Sequence, residues 1–131
     1  MVVYKHSLYS FELIENESIL LFNWTGATAQ MTEEDYQEAL HNYAGFELEF
    51  KTPSLLVDVR NFQYTMTPEL STWRDEHISP RYRKAEIKKF GYIVPQGVLE
   101  KMKGGTQKVE RGFEEEYFED RQKAIDWLLR I

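Results

Sequence analysis

Residues 54–59 read SLLVDV. A run this short, apolar and branched, ending on charge, is typical of a strand buried within a sheet. Upstream, residues 18–24 read SILLFNW and are almost continuously apolar through Leu20, Leu21 and Phe22, the pattern of a strand covered on both faces. The segment between the two runs carries a strong helix signal. Thr32 is placed as N-cap, Glu33, Glu34 and Asp35 fill the first turn, and Gly45 is the expected stop. Tyr36, Ala39, Leu40, Tyr43 and Ala44 recur at helical spacing and form one buried stripe, and Met31 before the cap is placed to touch Tyr36 as a hydrophobic staple. A buried strand, a helix and another buried strand imply a crossover, so 18–24 and 54–59 are expected to pair in parallel.

Working outward, LYSFELI (8–14) joins SILLFNW through the polar turn ENE and reads as a hairpin. After SLLVDV the chain crosses a loop and enters PELSTWRDEHI, a helix with Thr67 as cap and Pro68 at its first position, ended or kinked by Pro80. KKFGYIVP (88–95) reads as the next buried strand, stopped by Pro95. GVLEKMKGG follows as a short helix with Val98, Leu99 and Met102 inward and Gly104-Gly105 as terminator. EEYFE (115–119) is a short strand, and DRQKAIDWLLRI is a final helix capped by Asp120. That helix buries Ala124, Ile125, Leu128 and Leu129, with Trp127 beside them. The order ββαβαβαβα predicts a single α/β domain over 1–131, a sandwich with a mixed, mostly parallel central sheet of about five strands and helices packed against it.

The chain has 131 residues, the length of one ordinary domain, with 42% hydrophobic and 29% charged residues, as in a soluble globular protein. It contains no cysteine, which removes disulfides, thiolate metal sites and cysteine nucleophiles. The first residues, MVVYKHSLYSFELIENE, have neither a long apolar core nor a small-residue cleavage site, and no apolar run approaches a membrane span. A cytoplasmic location is the simplest expectation. A net charge of −6 disfavours nucleic-acid phosphates as partners. Basic residues gather in RYRKAEIKK (81–89) and acidic ones in FEEEYFED (113–120); both are expected to be solvated faces, with docking to a complementary partner as the alternative.

His6, His41 and His77 are widely separated and form no HxxxH or HExxH arrangement, so no metal site is expected. His41 falls on the polar side of its helix, whereas His77, four residues after Trp73, could line a groove. No GxSxG elbow is present, and the glycines of KMKGGTQK follow a helix instead of preceding one, unlike a phosphate loop. No catalytic residues and no cofactor are expected. Asp58 and Arg60, near the end of a central strand, point to one face; they form either a structural pair or a contact for an anion or partner at the mouth of the sheet. Tyr64, Trp73 and Tyr92 could be core or line an apolar pocket.

The element order, with NWTG at 23–26, TEEDYQEAL at 32–40, LVDVRNF at 56–62, FGYIVP at 90–95 and YFEDRQKAIDWLL at 117–129, resembles small bacterial STAS-like proteins of the SpoIIAA-like type. The resemblance implies a non-enzymatic regulatory or protein-interaction module. Fold similarity to lipid-binding Sec14-like proteins implies, as the alternative, a carrier of a small apolar molecule or lipid. Some STAS proteins are switched by phosphorylation at the start of the helix after a central strand, and the nearest positions are Thr65 and Thr67. The Asp-Ser pair followed by Gly that accompanies that switch is absent from MTPELS. The candidate binding residues are therefore Asp58, Arg60, Tyr64, Thr65, Thr67, Trp73 and Tyr92. A protein partner is expected, and an exposed strand edge or the two charged faces could support a homodimer.

Overall fold

Hydrogen-bonding potential along the two apolar runs is met by a sheet of six strands in the order β1-β2-β3-β4-β5-β6. It is seen here in a computed structural model that describes residues 1–102 and 112–130. The strands are β1 Val2–Lys5, β2 Tyr9–Ile14, β3 Ile19–Trp24, β4 Ser54–Asp58, β5 Lys89–Ile93 and β6 Glu114–Phe118, and the helices α1 Glu33–Phe50, α2 Pro68–His77, α3 Ser79–Lys84, α4 Val98–Met102 and α5 Arg121–Leu129. β1, β2 and β3 pair antiparallel, and β3 through β6 pair in parallel. The expected crossover pairing is present in register, with Leu20 beside Leu55 and Phe22 beside Val57. The side chain of Met102 and the Gly104-Gly105 stop lie outside the described residues.

The alternation of side chains along each strand sorts the core into two layers. Phe11, Leu20, Phe22, Trp24, Leu55, Val57 and Phe90 share one face with Tyr36, Leu40 and Tyr43 of α1, Leu70 of α2 and Tyr82 of α3. Ile19, Leu21, Leu56 and Ile93 point the other way, onto Ala124, Ile125 and Leu128 of α5. This two-sided burial explains why β3 and β4 read as unbroken apolar runs. The first layer is largely aromatic: the rings of Phe11 and Phe22 meet edge to face at 5.0 Å, and Phe22 stacks on Trp24 at 4.4 Å. Tyr43, fully enclosed there, directs its hydroxyl to the Leu20 carbonyl at 2.5 Å, so its one polar atom is satisfied.

Local signals set the helix starts. Thr32 and Asp35 form a reciprocal capping box, the Asp35 N–H donating to Thr32 Oγ1 at 3.1 Å and the Thr32 N–H to Asp35 Oδ2 at 3.0 Å. Asp120 caps α5 by accepting from Gln122 and Lys123. At the other end of that helix Lys89 Nζ donates to the carbonyls of Trp127 and Arg130 at 2.7 and 2.8 Å and lies over the Trp127 ring.

Several expectations are corrected. The sheet gains a sixth strand, because MVVYK pairs along the outer edge of β2. Gly45 does not stop α1, which runs to Phe50 and ends with Lys51 in the left-handed region. Gly45 faces open space, so its missing side chain leaves no void, while Tyr43, Ala44 and Glu47 are buried around it. α2 ends at His77, just ahead of Pro80 as expected, but a further helix, α3, follows, with Pro80 in its first turn where its lack of an N–H is harmless. Leu129 is 46% exposed instead of buried. Within the basic stretch Tyr82 and Ile87 are buried, so only part of RYRKAEIKK is a solvated face.

Candidate functional site

Two features lie at and beneath the C-terminal ends of the parallel strands. The first is a rim built by the segment between β4 and α2. Val59 N–H reaches the Ile93 carbonyl at 2.9 Å, and the Gln63 N–H donates to Thr28 Oγ1 at 2.7 Å. Thr28, in a 3₁₀ turn at Gly26–Gln30, donates in turn to the Thr25 carbonyl, so a buried hydroxyl ties the turn after β3 to the rim. From Phe62 to Met66 the segment alternates. Phe62, Tyr64 and Met66 lean on the core, while Gln63 and Thr65 are exposed.

Asp58 closes β4 with its carboxylate buried and Arg60 folded around it. The Arg60 N–H and Nε donate to Oδ1 at 3.0 and 3.1 Å, and Nη2 donates to Oδ2 at 2.7 Å. The Asp58 side chain is 6% exposed and that of Arg60 44%. The hydrogen bonds to Asp58 push the Arg60 guanidinium further up from its ordinary value, so it is a permanent cation at the rim. Thr67 accepts from the Leu70 N–H at 3.1 Å as the α2 cap, which commits its oxygen to structure.

The second feature is a cavity of about 230 Å³ beneath this rim, between the aromatic face of the sheet and α1 to α3. Phe22, Trp24, Val57, Phe90 and Tyr92 supply the sheet wall, and Tyr36, Leu40 and Tyr43 the α1 wall. Phe62 and Met66 close it from the rim, Ser79 and Tyr82 from α3, and Phe113 beside β6. Arg74 and Glu115 bring one charge of each sign to the lining. Arg74 hydrogen-bonds the Tyr36 hydroxyl, and the Tyr92 hydroxyl donates to Glu115 Oε1 at 3.2 Å. Burial raises the Tyr36 phenol, against an opposing pull from Arg74, and raises Tyr43 and Tyr92 well above the usual range. These phenols stay neutral; Tyr43 and Tyr92 donate their hydroxyl protons, while the Tyr36 oxygen accepts from Arg74.

The sequence candidates divide between these features. Asp58 and Arg60 are joined as a pair, with Thr65 on the same rim segment. Tyr64 packs on Tyr36 and Phe62, and Trp73 lies between His41 and His77, at ring distances of 5.4 and 5.9 Å. Only Tyr92 of the three aromatic candidates lines the cavity. Arg74, Tyr82, Phe113 and Glu115 were not singled out; Arg74 and Glu115 look like solvated charges in sequence, and no periodic signal aims them inward. His41 is exposed and contacts Arg81 Nη1 at 3.1 Å. Among the described residues no group of three or more His, Asp or Glu is placed to hold a metal ion, and no helix is long and apolar enough to cross a membrane.

A mixed sheet with helices on both faces, and loops gathered at the ends of its parallel strands, defines a STAS-like α/β sandwich. The chain belongs to the SpoIIAA-like family, whose model matches residues 22–129, and is a STAS-like regulatory or interaction module. Comparison with curated proteins returns no match, and neither does comparison with solved structures.

Proposed function

We propose that this module acts in the cytoplasm by docking a protein partner on the rim formed by Arg60, Asn61, Gln63 and Thr65. The observation that carries the reading is the clamp on Arg60. A buried carboxylate fixes a guanidinium that remains about half exposed, so the cation is oriented before any partner arrives. Such an arginine suits an acidic or carbonyl-rich protein surface. Thr65 is the residue of the rim open to a modifying enzyme, because Thr67 uses its oxygen as a cap.

The test is a photo-crosslinking amino acid placed at Asn61, with a control at Glu49 on α1, followed by identification of the captured chain. Capture of one protein at Asn61 alone, lost in Arg60→Ala with unchanged circular dichroism, is the expected result. Equal capture at both positions, or capture indifferent to Arg60, refutes the rim. Capture of a second copy of this chain makes the partner a homodimer.

The cavity favours a second reading, binding of a small apolar molecule or a lipid. Native mass spectrometry of freshly purified protein tests it by the mass of any copurified ligand.

A further inference from the structure

We infer that the cavity beneath the rim is a binding site for a flat, uncharged aromatic molecule of one or two rings carrying a hydroxyl or ring N–H. This narrows the ligand reading above and rests on it. Size decides first. An apolar cavity of roughly 150 Å³ takes benzene, and pockets that enclose drug-sized ligands run from roughly 300 to 1,000 Å³. At about 230 Å³ this cavity falls between them, room for one or two fused rings and too little for paired acyl chains.

The walls decide second. Nine of the sixteen lining residues are aromatic, so the occupant meets ring faces and edges on most sides. Several of those rings are already stacked in pairs, Phe22 on Trp24 at 4.4 Å and Phe90 on Tyr92 at 4.8 Å, which presents flat surfaces for a further ring.

Charge decides third. The lining holds one cation, Arg74, and one anion, Glu115, engaged with the Tyr36 and Tyr92 hydroxyls respectively. An anionic ligand drawn to Arg74 also meets Glu115, and a cationic one meets the reverse, so a net charge gains little. A neutral group fits both. Arg74 also pairs with Asp75 at 3.6 Å; a guanidinium has five N–H donors and a carboxylate about four acceptor sites, so both groups can serve several partners at once. A hydroxyl or ring N–H donates to Glu115, and a hydroxyl oxygen can also accept from Arg74.

The experiment is calorimetric titration of the full chain with indole, 2-naphthol and dodecanoate, repeated on Leu40→Phe and Val59→Phe, which enlarge two lining residues, one on α1 and one just after β4. Chemical-shift mapping on the unaltered chain locates each bound probe without any variant. The expected result is saturable binding of the ring compounds, with shifts at Phe22, Tyr36 and Tyr92. Whichever filling variant keeps its circular dichroism should weaken binding by about tenfold or more. Dodecanoate binding at these residues while neither ring compound binds overturns the aromatic class and leaves the ligand reading standing. Ring binding that maps elsewhere, or that survives filling in a folded variant, overturns the site. Failure of all three probes overturns the proposal, and if the purified protein also carries no ligand mass the broader reading falls with it.

Discussion

Glu47→Gln should remove a pH dependence from the stability of this protein. Glu47 lies on the inner side of α1 and is 1% exposed. The Thr52 hydroxyl donates to its Oε2, while Oε1 is buried with no hydrogen-bond partner among the described residues. Burial raises the carboxyl from 4.5 to about 7, against the lowering effect of Thr52. Tyr43 and Tyr82 face the same region; burial raises both phenols, so they stay neutral while Glu47 titrates. The folded state therefore holds its proton where the unfolded chain has lost it. A group raised in this way contributes fully below about pH 4.5, loses its contribution as pH rises towards about 7, and contributes nothing further above that. At about 1.4 kcal/mol per tenfold, the rise from 4.5 to about 7 is worth about 3 kcal/mol. That is a large share of the roughly 5–15 kcal/mol by which domains are stable.

The assay is urea denaturation of both chains from about pH 5 to about pH 8, reading the difference between them so that other titrations cancel. Glutamine is neutral and keeps an acceptor for Thr52, so the variant should gain about 2.5 kcal/mol relative to the parent across that range. Parallel stability curves would refute the reasoning, since they would mean that Glu47 ionises in the folded state as easily as in water.

Other substitutions probe the caps, the packing and the rim. Thr67→Ala removes the α2 cap and should lower stability by about 1 kcal/mol in the same denaturation assay, with the fold unchanged by circular dichroism. Gly91→Ala sets a methyl 3.2 Å from Leu56 Cδ1, closer than ordinary contact, with both Leu128 methyls at normal distance, so the Leu56 side chain must give by a few tenths of an ångström; a loss of about 1–3 kcal/mol is expected, read as an earlier thermal midpoint. Arg60→Ala leaves the Asp58 carboxylate one backbone N–H and should cost about 1–2 kcal/mol, moderated by the exposure of the guanidinium, while abolishing partner capture at the rim. Phosphopeptide mapping should find any phosphate on Thr65, and stoichiometric phosphate on Thr67 would contradict its role as a cap.

Much of the scaffold was legible because its signals are local. The β3 and β4 runs are apolar along their whole length because both faces of those strands are covered, so periodicity revealed strands and their place inside the sheet together. Caps at Thr32, Thr67 and Asp120 were readable because a cap concerns only the three or four residues that follow it. β1 was not readable: Val2–Lys5 buries little and exists because β2 offers an open edge. The extension of α1 past Gly45 was hidden for a related reason, since helix propensity argues for a stop and tertiary burial of the next turn outweighs it.

The sequence by itself determined the α/β class, the parallel crossover and the helix starts after Thr32, Thr67 and Asp120, all of which depend on neighbours in the chain or on the period of its apolar residues, and it left Asp58 and Arg60 open between a pair and a partner contact. Tertiary structure alone decided the cavity, the inward placement of Arg74 and Glu115, and the burial of Glu47 within GFELEF. Whether a charged side chain ends in water or against a phenol depends on which faces of α1, α2 and β6 meet, and that meeting joins residues dozens of positions apart.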